Sequence, residues 1–303
     1  MLAALLAMNY PRPSGKPRPL FQGHLFQLHL PGNADVQFVE WFERSPVEQK
    51  IGTIIEQLLG PASPYGYTQD EWMVVDAGMN RGYQSLLPAT LGYEVLAIEA
   101  MPQCISQAST TFRLNNLTGA VTTVLAGLAA HNGGTMGVAP NAPCNAANSI
   151  VAAADSLGNH TAGVEMRVPL RSLASLLTPL TKGVAVMKMD IEGSEMAALH
   201  SLGVAGLAAH RVRHLIVEVA SHLWRHSLEQ GVRFFEALGA TSEGVYCLDP
   251  IPGCQFETKT DPVFGTVYTV VDMKHSIARV SGRSCCGNLW FRSIGNRTAI
   301  SFV

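Results

Sequence analysis

The sequence contains no block of like charges along its 303 residues. It has 21 lysine and arginine residues against 23 aspartate and glutamate residues, which gives a formal net charge of -2 at pH 7. Proteins that bind nucleic acid electrostatically concentrate basic residues in one run or on one face. The composition gives no sign of such binding, and we predict that nucleic acid is not a partner.

Long hydrophobic runs are missing as well. No apolar stretch approaches the roughly 20 residues that a helix needs to span a bilayer, so we expect no integral membrane span. The first eight residues, MLAALLAM, are apolar, and the Pro- and basic-rich NYPRPSGKPRP follows where a signal peptide would carry small residues. We interpret this start as a remnant of a targeting or anchor segment. An anchor would place the chain in a lumen; otherwise the cytoplasm is favoured.

The six cysteines lack CxxC spacing and have no nearby histidine pair. Free or buried thiols are therefore the expected state. A disulfide between Cys247 and Cys254 stays open, because a loop containing DPIPG joins them. Asn-x-Ser/Thr sequons begin at Asn116, Asn159 and Asn296, and they would matter only in the secretory pathway.

Three regions differ in pattern. Residues 1–33 carry little periodicity, and we predict an irregular N-terminal segment. Residues 34–70 place apolar side chains at helical spacing and stop at Gly60-Pro61, which predicts packing helices without chemistry. Residues 71–303 form the main domain, with a Gly-, Ala- and Asn-rich insert at about 131–170 that we interpret as a lid or specificity loop.

Short apolar runs alternate with helical segments after residue 71. The runs are WMVVDAG, YEVLAIEA, VTTVLAG, VAVMKMDIEG and HLIVEVA. Continuous apolar strands separated by helices predict an α/β fold with a mostly parallel central sheet and helices on both faces. The later runs SEGVYCLD, FGTVYTVVD and NLWFRS predict an antiparallel C-terminal edge. Such sheets bind ligands at the carboxyl ends of their strands.

A glycine turn follows the first of these strands in VVDAGMNRGYQSLL, residues 74–87. The dinucleotide fingerprint G-x-G-x-x-G is altered here, because Asp76 occupies the place of its first glycine. A carboxylate there would repel a pyrophosphate, which weakens the alternative of a nicotinamide-dependent oxidoreductase. S-adenosylmethionine has no phosphate and carries a cationic sulfonium and amino group, so it suits this turn better. Glu99 ends the next strand, about 20 residues on, where an acid can bind ribose hydroxyls.

These residues resemble the FkbM-type S-adenosylmethionine-dependent methyltransferases from about Met73 to Glu218. VVDAGMNRGYQSLL is similar to the family's D-x-G-A-N-x-G-x-x-S block, and VLAIEAMP to its strand ending in E-P-x-P. RLNNL is similar to the Asn-bearing helix end, and VPLRSLASLL with VMKMDIEGSE to L-D-x-L and K-x-D-x-E-G-x-E. The resemblance implies a Rossmann-like class I methyltransferase fold.

The resemblance also implies that five residues bind the cofactor: Asp76, Gly78, Asn80, Gly82 and Glu99. Asn80 has a structural alternative, since asparagine tolerates left-handed backbone and can shape the turn alone.

Three residues depart from the family pattern. Met79 replaces a small residue and could narrow the cofactor turn. Ala100 replaces a proline after the ribose-binding acid, a change that we expect to be tolerated. Ala174 stands where the family has an aspartate, which weakens that part of the match.

Candidate catalytic residues follow the fourth apolar run. Lys188, Asp190 and Glu192 are two residues apart, so an extended chain points them in one direction at the strand's carboxyl end. We predict that Asp190 orients the acceptor hydroxyl or acts as a base, with Glu192 beside it. His222 follows the fifth run and is a second candidate base.

Structural roles compete with each of these assignments. Glu192 and Glu195 precede a helical pattern and could simply cap it. Lys188, if buried, needs an ion-pair partner such as Asp190 or Glu218. Asp190 and Glu218 could also hold a divalent cation through hard oxygen ligands, although nothing in the sequence demands one.

The sequence therefore predicts an S-adenosylmethionine-dependent O-methyltransferase. Its acceptor, a hydroxyl on a sugar or another small molecule, comes from the resemblance alone. The alternative is a catalytically silent cofactor-binding or scaffold domain of the same fold. N-methylation also stays open, and the sequence does not indicate an oligomeric state.

Overall fold

The structure is a computed structural model that describes residues 17–21, 23–138, 144, 166–219, 228–251, 254, 256–277, 279–280 and 283–295. Its helices are α1 (Asn33–Arg44), α2 (Pro46–Leu59), α3 (Tyr83–Thr90), α4 (Pro102–Leu114), α5 (Leu173–Leu177), α6 (Glu195–Ala209), α7 (Leu228–Ala240) and α8 (Met273–Ile277). None of the helices described is long and apolar enough to cross a bilayer.

Within the described residues, the strands form one large sheet and three small ones. The small sheets contain β1 (Arg18–Phe21) with β2 (His24–Phe26), β6 (Gly127–Ala129) with β7 (Thr135–Val138) and β8 (Met166–Ser172), and β14 (Arg279–Val280) with β15 (Arg283–Ser284). The large sheet contains β3 (Trp72–Ala77), β4 (Glu94–Glu99), β5 (Val121–Leu125), β9 (Gly183–Met189), β10 (His214–Glu218), β11 (Gly244–Cys247), β12 (Glu257–Asp261), β13 (Gly265–Thr269) and β16 (Asn288–Arg292).

The nine strands of the large sheet run in the order β12-β13-β11-β16-β10-β9-β3-β4-β5. The five apolar runs of the sequence form the parallel half, from β10 to β5. The other half is antiparallel. The α/β class is confirmed, but the sheet is mixed, and its antiparallel part is larger than the edge that the sequence predicts.

Both faces of the parallel half are covered, which explains why its strands are apolar throughout. Every residue of β3 and β9 is buried. Side chains alternate between two cores along each strand, so Val75 and Met187 belong to one core and Val74 and Val186 to the other. The strand ends therefore gather at one edge, between the two helical layers.

The chain before β3 is built around two helices that share a junction. Ser45 ends α1 and caps α2, because its Oγ accepts a hydrogen bond from the Glu48 backbone N at 3.5 Å. The segment predicted to be irregular contains the hairpin β1–β2, whose Phe21 ring packs edge-on against Phe42 with centroids 5.7 Å apart. These contacts anchor the N-terminal layer.

The segment proposed as an insert is described only in part. Residues 135–138 and 166–172 form β7 and β8, which pair antiparallel, while β6 adds to β8 in parallel. Residues 139–143 and 145–165 lie outside the described residues.

The expectation of free thiols is wrong, because all six cysteines form disulfides. The pairs are Cys104–Cys144, Cys247–Cys286 and Cys254–Cys285. The Cys247–Cys254 pair is therefore wrong as well. Strands β11 and β16 pair antiparallel with Cys247 opposite Leu289, so Cys247 lies close to Cys286, which precedes β16. Cys254 lies in the loop after β11 and pairs with the neighbouring Cys285. The paired cysteines are 31 to 40 residues apart in sequence, so no short spacing motif indicates which of them pair.

Candidate active site

The turn between β3 and α3 lies against the end of β9. Gly78 has φ +80, and a Cβ there would overlap the backbone oxygen of Asp190. The backbone N–H groups of Gly78 and Met79 both donate to the Ile98 carbonyl, at 2.9 and 3.1 Å. Glycine is required at position 78 because the turn must approach two strands at once.

The turn continues with Asn80, which is bound by Glu99 at the end of β4. Asn80 has a left-handed φ of 52, and its backbone N donates to Glu99 Oε2 at 2.9 Å. The Met101 backbone N donates to Glu99 Oε1 at 2.7 Å. Burial raises the pKa of Glu99, and these backbone hydrogen bonds oppose that rise. Each carboxylate oxygen still has a lone pair for a ligand.

Two residues predicted to bind the cofactor, Gly82 and Asp76, are buried against other parts of the protein. Gly82 has φ +74 at the start of α3, and a Cβ there would lie 2.5 Å from the Phe112 ring, so this glycine serves packing. Asp76 is 2 % exposed, and its Oδ2 accepts a hydrogen bond from Ser85 Oγ at 2.6 Å. Asp76 is thus held within the protein beside Ser85, and its contact with the cofactor stays a prediction.

Gly78, Asn80 and Glu99 do line a cleft at the strand ends, which we name the first cleft. Its volume is about 650 Å³. Its walls combine apolar side chains with three carboxylates and exposed backbone. They are formed by Gly78, Asn80, Ile98, Glu99, Ala100, Met101, Cys104, Ala126, Gly127, Leu128, Asp190, Ile191 and Glu192.

Lys188 is the buried cation beneath this cleft. Its Nζ donates to Asp190 Oδ2 at 3.0 Å and to the Gly78 carbonyl at 3.2 Å, and lies 3.9 Å from Asp76 Oδ1. Burial would lower the pKa of Lys188, but the charges of Asp190, Asp76 and Glu48 outweigh it and raise that pKa. The ion-pair role weighed for Lys188 is thus present.

Asp190 is held ionised by two neighbours. Burial would raise its pKa, but the Lys188 cation and a hydrogen bond with Glu218 lower it. Burial and the Asp190 charge raise the pKa of Glu218, so Glu218 keeps its proton at neutral pH and donates it to Asp190. Asp190 therefore accepts hydrogen bonds as a carboxylate.

Glu192 and Glu195 have different roles. Glu195 Oε1 accepts from the backbone N–H groups of Ile191 and Gly193, at 3.1 and 3.0 Å, and closes the loop ahead of α6. Glu192 has φ 51 and lines the first cleft. Burial, together with the charges of Asp190 and Glu195, raises the pKa of Glu192 to about 7.

Three carboxylates meet at the mouth of the first cleft. Asp190, Glu192 and Glu218 each offer an oxygen within 4.8 Å of the others. Oxygen ligands of this kind suit Mg²⁺ or Mn²⁺, but Glu218 would first have to lose its proton. The remaining candidate base, His222, lies outside the described residues.

A second cleft opens on the other side of Asp190, against α1 and α2. Its volume is about 390 Å³. Asn80 and Asp190 line both clefts. The other residues of the second cleft are Phe38, Trp41, Phe42, Glu48, Met79, Arg81, Tyr83, Gln84 and Lys188.

The second cleft bears on two expectations from the sequence. The helices assigned to packing alone contribute Trp41 and Glu48 to its walls. Met79 is 3 % exposed and belongs to this wall, so it does not narrow the cofactor side of the turn. No local motif marks Trp41 or Glu48, since each fits an ordinary amphipathic helix.

Comparison with known proteins identifies the family. The model of the methyltransferase FkbM domain matches residues 76–239, just over half of the chain. No curated protein matches the sequence.

Several solved structures are distant likenesses. The O-methyltransferase from Bacillus cereus in complex with SAH has 12% identity over 82% of each chain and a TM-score of 0.39. The O-methyltransferase TomG from Streptomyces achromogenes, in complex with SAM, has 11% identity over 80% of this chain and 78% of that one, with a TM-score of 0.38. The N-terminal domain of human METTL16 in complex with SAH has 11% identity over 88% and 75%, with a TM-score of 0.34.

The glycine turn, the acid at the end of β4 and the block after β9 all lie at one edge of a Rossmann-like sheet, within or beside the span that the family model matches. The chain belongs to the FkbM methyltransferase family and is an S-adenosylmethionine-dependent methyltransferase.

Proposed function

We propose that the protein transfers a methyl group from S-adenosylmethionine to a hydroxyl of a sugar or another small molecule. One observation carries the proposal: two clefts meet at Asn80 and Asp190. A methyltransferase must bind donor and acceptor on opposite sides of the transferred group. The shared residues mark the point where the two substrates would face each other.

The first cleft fits the cofactor. Gly78 lets the turn lie directly against the end of β9, and Glu99 has acceptor capacity for ribose hydroxyls. Ile98, Met101 and Leu128 give an apolar wall that suits a purine ring. The cofactor supplies an activated methyl group on a cationic sulfonium, and Glu192 offers a carboxylate near that charge.

Asp190 is suited to hold the acceptor. Its carboxylate is kept ionised by Lys188 and by the Glu218 proton, so it accepts a hydrogen bond from the acceptor hydroxyl. That bond points the oxygen lone pair of the hydroxyl toward the methyl group. As the oxygen becomes positive during transfer, its proton passes to an Asp190 oxygen.

Cofactor binding is tested by calorimetric titration of the purified chain with S-adenosylhomocysteine, with NADH as the control ligand. We expect binding of the first alone. Glu99→Ala should weaken that binding by about 10- to 100-fold, since charge-assisted hydrogen bonds contribute about 1.5–3 kcal/mol each. Binding of NADH alone would overturn the proposal in favour of an oxidoreductase.

Catalysis is tested with Asp190→Asn and labelled S-adenosylmethionine, against a panel of sugars and small hydroxyl compounds. We expect affinity for S-adenosylhomocysteine within about two-fold of wild type and a loss of at least about 100-fold in transfer. Asp70→Asn, at an exposed position, is the control. Equal transfer by Asp190→Asn would remove its role, and cofactor binding without any transfer by wild type would favour the silent domain.

A further inference from the structure

We propose that the second cleft is the acceptor site, and that it selects a neutral, polyhydroxylated ring through Trp41 and Glu48. This inference rests on the proposed methyl transfer. Both residues precede residues 76–239, the span that the family model matches. Two residues that select the acceptor would then lie outside the span that holds the cofactor.

Trp41 supplies an aromatic surface for the ring. It is 50% exposed although Phe38 packs beside it, with centroids 5.4 Å apart. The Arg81 guanidinium lies 4.1 Å from the Phe38 ring centroid and pairs with Asp35 at 3.0 Å. These contacts fix the surface to the glycine turn. An exposed indole held in place is suited to the apolar face of a sugar ring.

Hydrogen-bonding groups also line the second cleft. Glu48 Oε2 accepts from Gln84 Nε2 at 2.8 Å. Within the described part of the chain, Gln84 Oε1 and the Tyr83 hydroxyl have no hydrogen-bond partner, although these residues are only 6% and 3% exposed. Buried polar atoms normally find a partner in protein, water or ligand. The Glu48 carboxyl group, oriented by Gln84, can accept a hydrogen bond from an acceptor hydroxyl.

The charges of the second cleft disfavour an anionic acceptor. Arg81 is occupied by Asp35, and Lys188 faces Asp190 at 3.0 Å and Asp76 at 3.9 Å. Glu48 adds a further carboxyl group. The described lining of this cleft has two carboxyl groups and two cations, but both cations are also paired with carboxylates behind the wall, Asp35 and Asp76. A phosphate or carboxylate on the acceptor would therefore meet repulsion rather than a free cation.

Ligand binding to this cleft is tested by saturation-transfer NMR on the full chain in the presence of S-adenosylhomocysteine. The probes are the methyl glycosides of glucose, galactose and mannose, and their 6-phosphates. We expect signals from at least one neutral glycoside and none from the phosphates. Trp41→Ala should abolish the signal, while Val36→Ala, at an exposed position of the same helix, should keep it.

Glu48→Gln should weaken glycoside binding by at least about 10-fold, and Glu56→Gln, on the same helix outside the cleft, should leave it unchanged. The inference is overturned if wild type gives no glycoside signal, if the phosphates bind equally, or if Trp41→Ala binds like wild type. Calorimetry with S-adenosylhomocysteine on the same samples reports the first cleft. Its failure in wild type would instead refute the proposed function.

The cysteines carry a second, independent inference. We infer that the chain folds in an oxidising compartment and carries an N-linked glycan on Asn116. All six cysteines are paired, and structural disulfides are rare in a reducing cytosol. Each bond forms when two thiols pass two electrons and two protons to a disulfide-bearing oxidant of that compartment. The compartment would therefore be the lumenal alternative.

Asn116 is placed for modification. It begins the sequon Asn116-Leu117-Thr118 just after α4, with a left-handed φ of 57, and both Asn116 and Thr118 are exposed. The side-chain nitrogen would lose a proton and bond to the anomeric carbon of a lipid-linked oligosaccharide, with release of the lipid diphosphate.

Peptide mapping of the full chain from a secreting eukaryotic host tests this inference. We expect the three disulfide-linked pairs and an Asn116 peptide whose mass falls after glycosidase treatment. Thr118→Ala should abolish the glycan, whereas Thr118→Ser, which keeps the sequon, should retain it. Free thiols in the folded protein, or an unmodified Asn116, would overturn the inference.

Discussion

The two clefts that meet at Asp190 are built in different ways. The first cleft takes its shape from backbone: a left-handed turn at Gly78 and Asn80, and the ends of β4 and β9. The second takes its shape from side chains on α1 and α2 that reach the same turn. The cofactor side is therefore fixed by backbone geometry, whereas side chains on α1 and α2 can be exchanged without changing the path of the turn.

Gly78→Ala should have the largest effect, because it affects the turn itself. The new Cβ combines left-handed strain with an overlap against the Asp190 oxygen, so we expect a loss of roughly 2–5 kcal/mol in the free energy of unfolding. Binding of S-adenosylhomocysteine should also be lost. Thermal unfolding and calorimetry measure both effects.

Gly66→Ala is the matched control for that substitution. Gly66 also has a positive φ, +63, but a Cβ there meets no atom within 4 Å. We expect a cost of about 1 kcal/mol and unchanged cofactor binding. If both substitutions lower the free energy of unfolding equally, the cost of Gly78→Ala would come from backbone strain alone and not from the close approach of the turn to β9.

Substitution of Glu218 should have an intermediate effect, since it acts on both clefts through Asp190. Glu218→Leu removes the hydrogen-bond donor that lowers the pKa of Asp190, so Asp190 will become protonated at a higher pH. Transfer should fall about 10-fold, and the acidic limb of the pH–rate profile should shift upward.

Glu218→Gln keeps a donor toward Asp190 and should stay within about three-fold of wild type. Removal of divalent cations with EDTA should likewise leave transfer unchanged, because burial and the Asp190 charge raise the pKa of Glu218 and favour its neutral form, which is a poor metal ligand. A loss of activity on EDTA treatment, restored by Mg²⁺, would contradict this account of the three carboxylates.

The pH dependence of cofactor binding should show the smallest effect and should be confined to the first cleft. The pKa of Glu192 is raised by burial to about 7, so its carboxyl group is mainly neutral at pH 6 and ionised at pH 8. An ionised Glu192 attracts the sulfonium of S-adenosylmethionine, whereas S-adenosylhomocysteine lacks that charge. The ratio of their affinities should rise about five-fold over this range, and Glu192→Gln should abolish the rise. A flat ratio in wild type would contradict it.

The first cleft could largely be predicted because its elements are local in sequence. The glycine turn, Glu99 and Asp190 each follow an apolar run, and parallel strands bring their ends together. The burial of the Asp76 side chain could not be predicted, because side chains alternate between two faces along β3. Asp76 lies on the same face as Val74 and is covered by Ser85 of α3. Its position in the motif does not show toward which face of the sheet its side chain points.

The second cleft and the disulfides could not be predicted, because both depend on contacts between distant segments. Trp41 and Glu48 share a cleft with Asp190 because α1 and α2 lie against the glycine turn, where Asp35 pairs with Arg81. The Cys247–Cys286 bond depends on the register between β11 and β16. Neither contact leaves a spacing that a single sequence reveals.

Titration of wild type, Glu99→Ala and Glu48→Gln with S-adenosylhomocysteine tests the division of the site most directly. Glu99 lines only the first cleft and Glu48 only the second. We predict that Glu99→Ala binds about 10- to 100-fold more weakly, while Glu48→Gln stays within about two-fold of wild type. Equal weakening by both substitutions, or wild-type affinity in Glu99→Ala, would contradict the assignment of the cofactor to the first cleft.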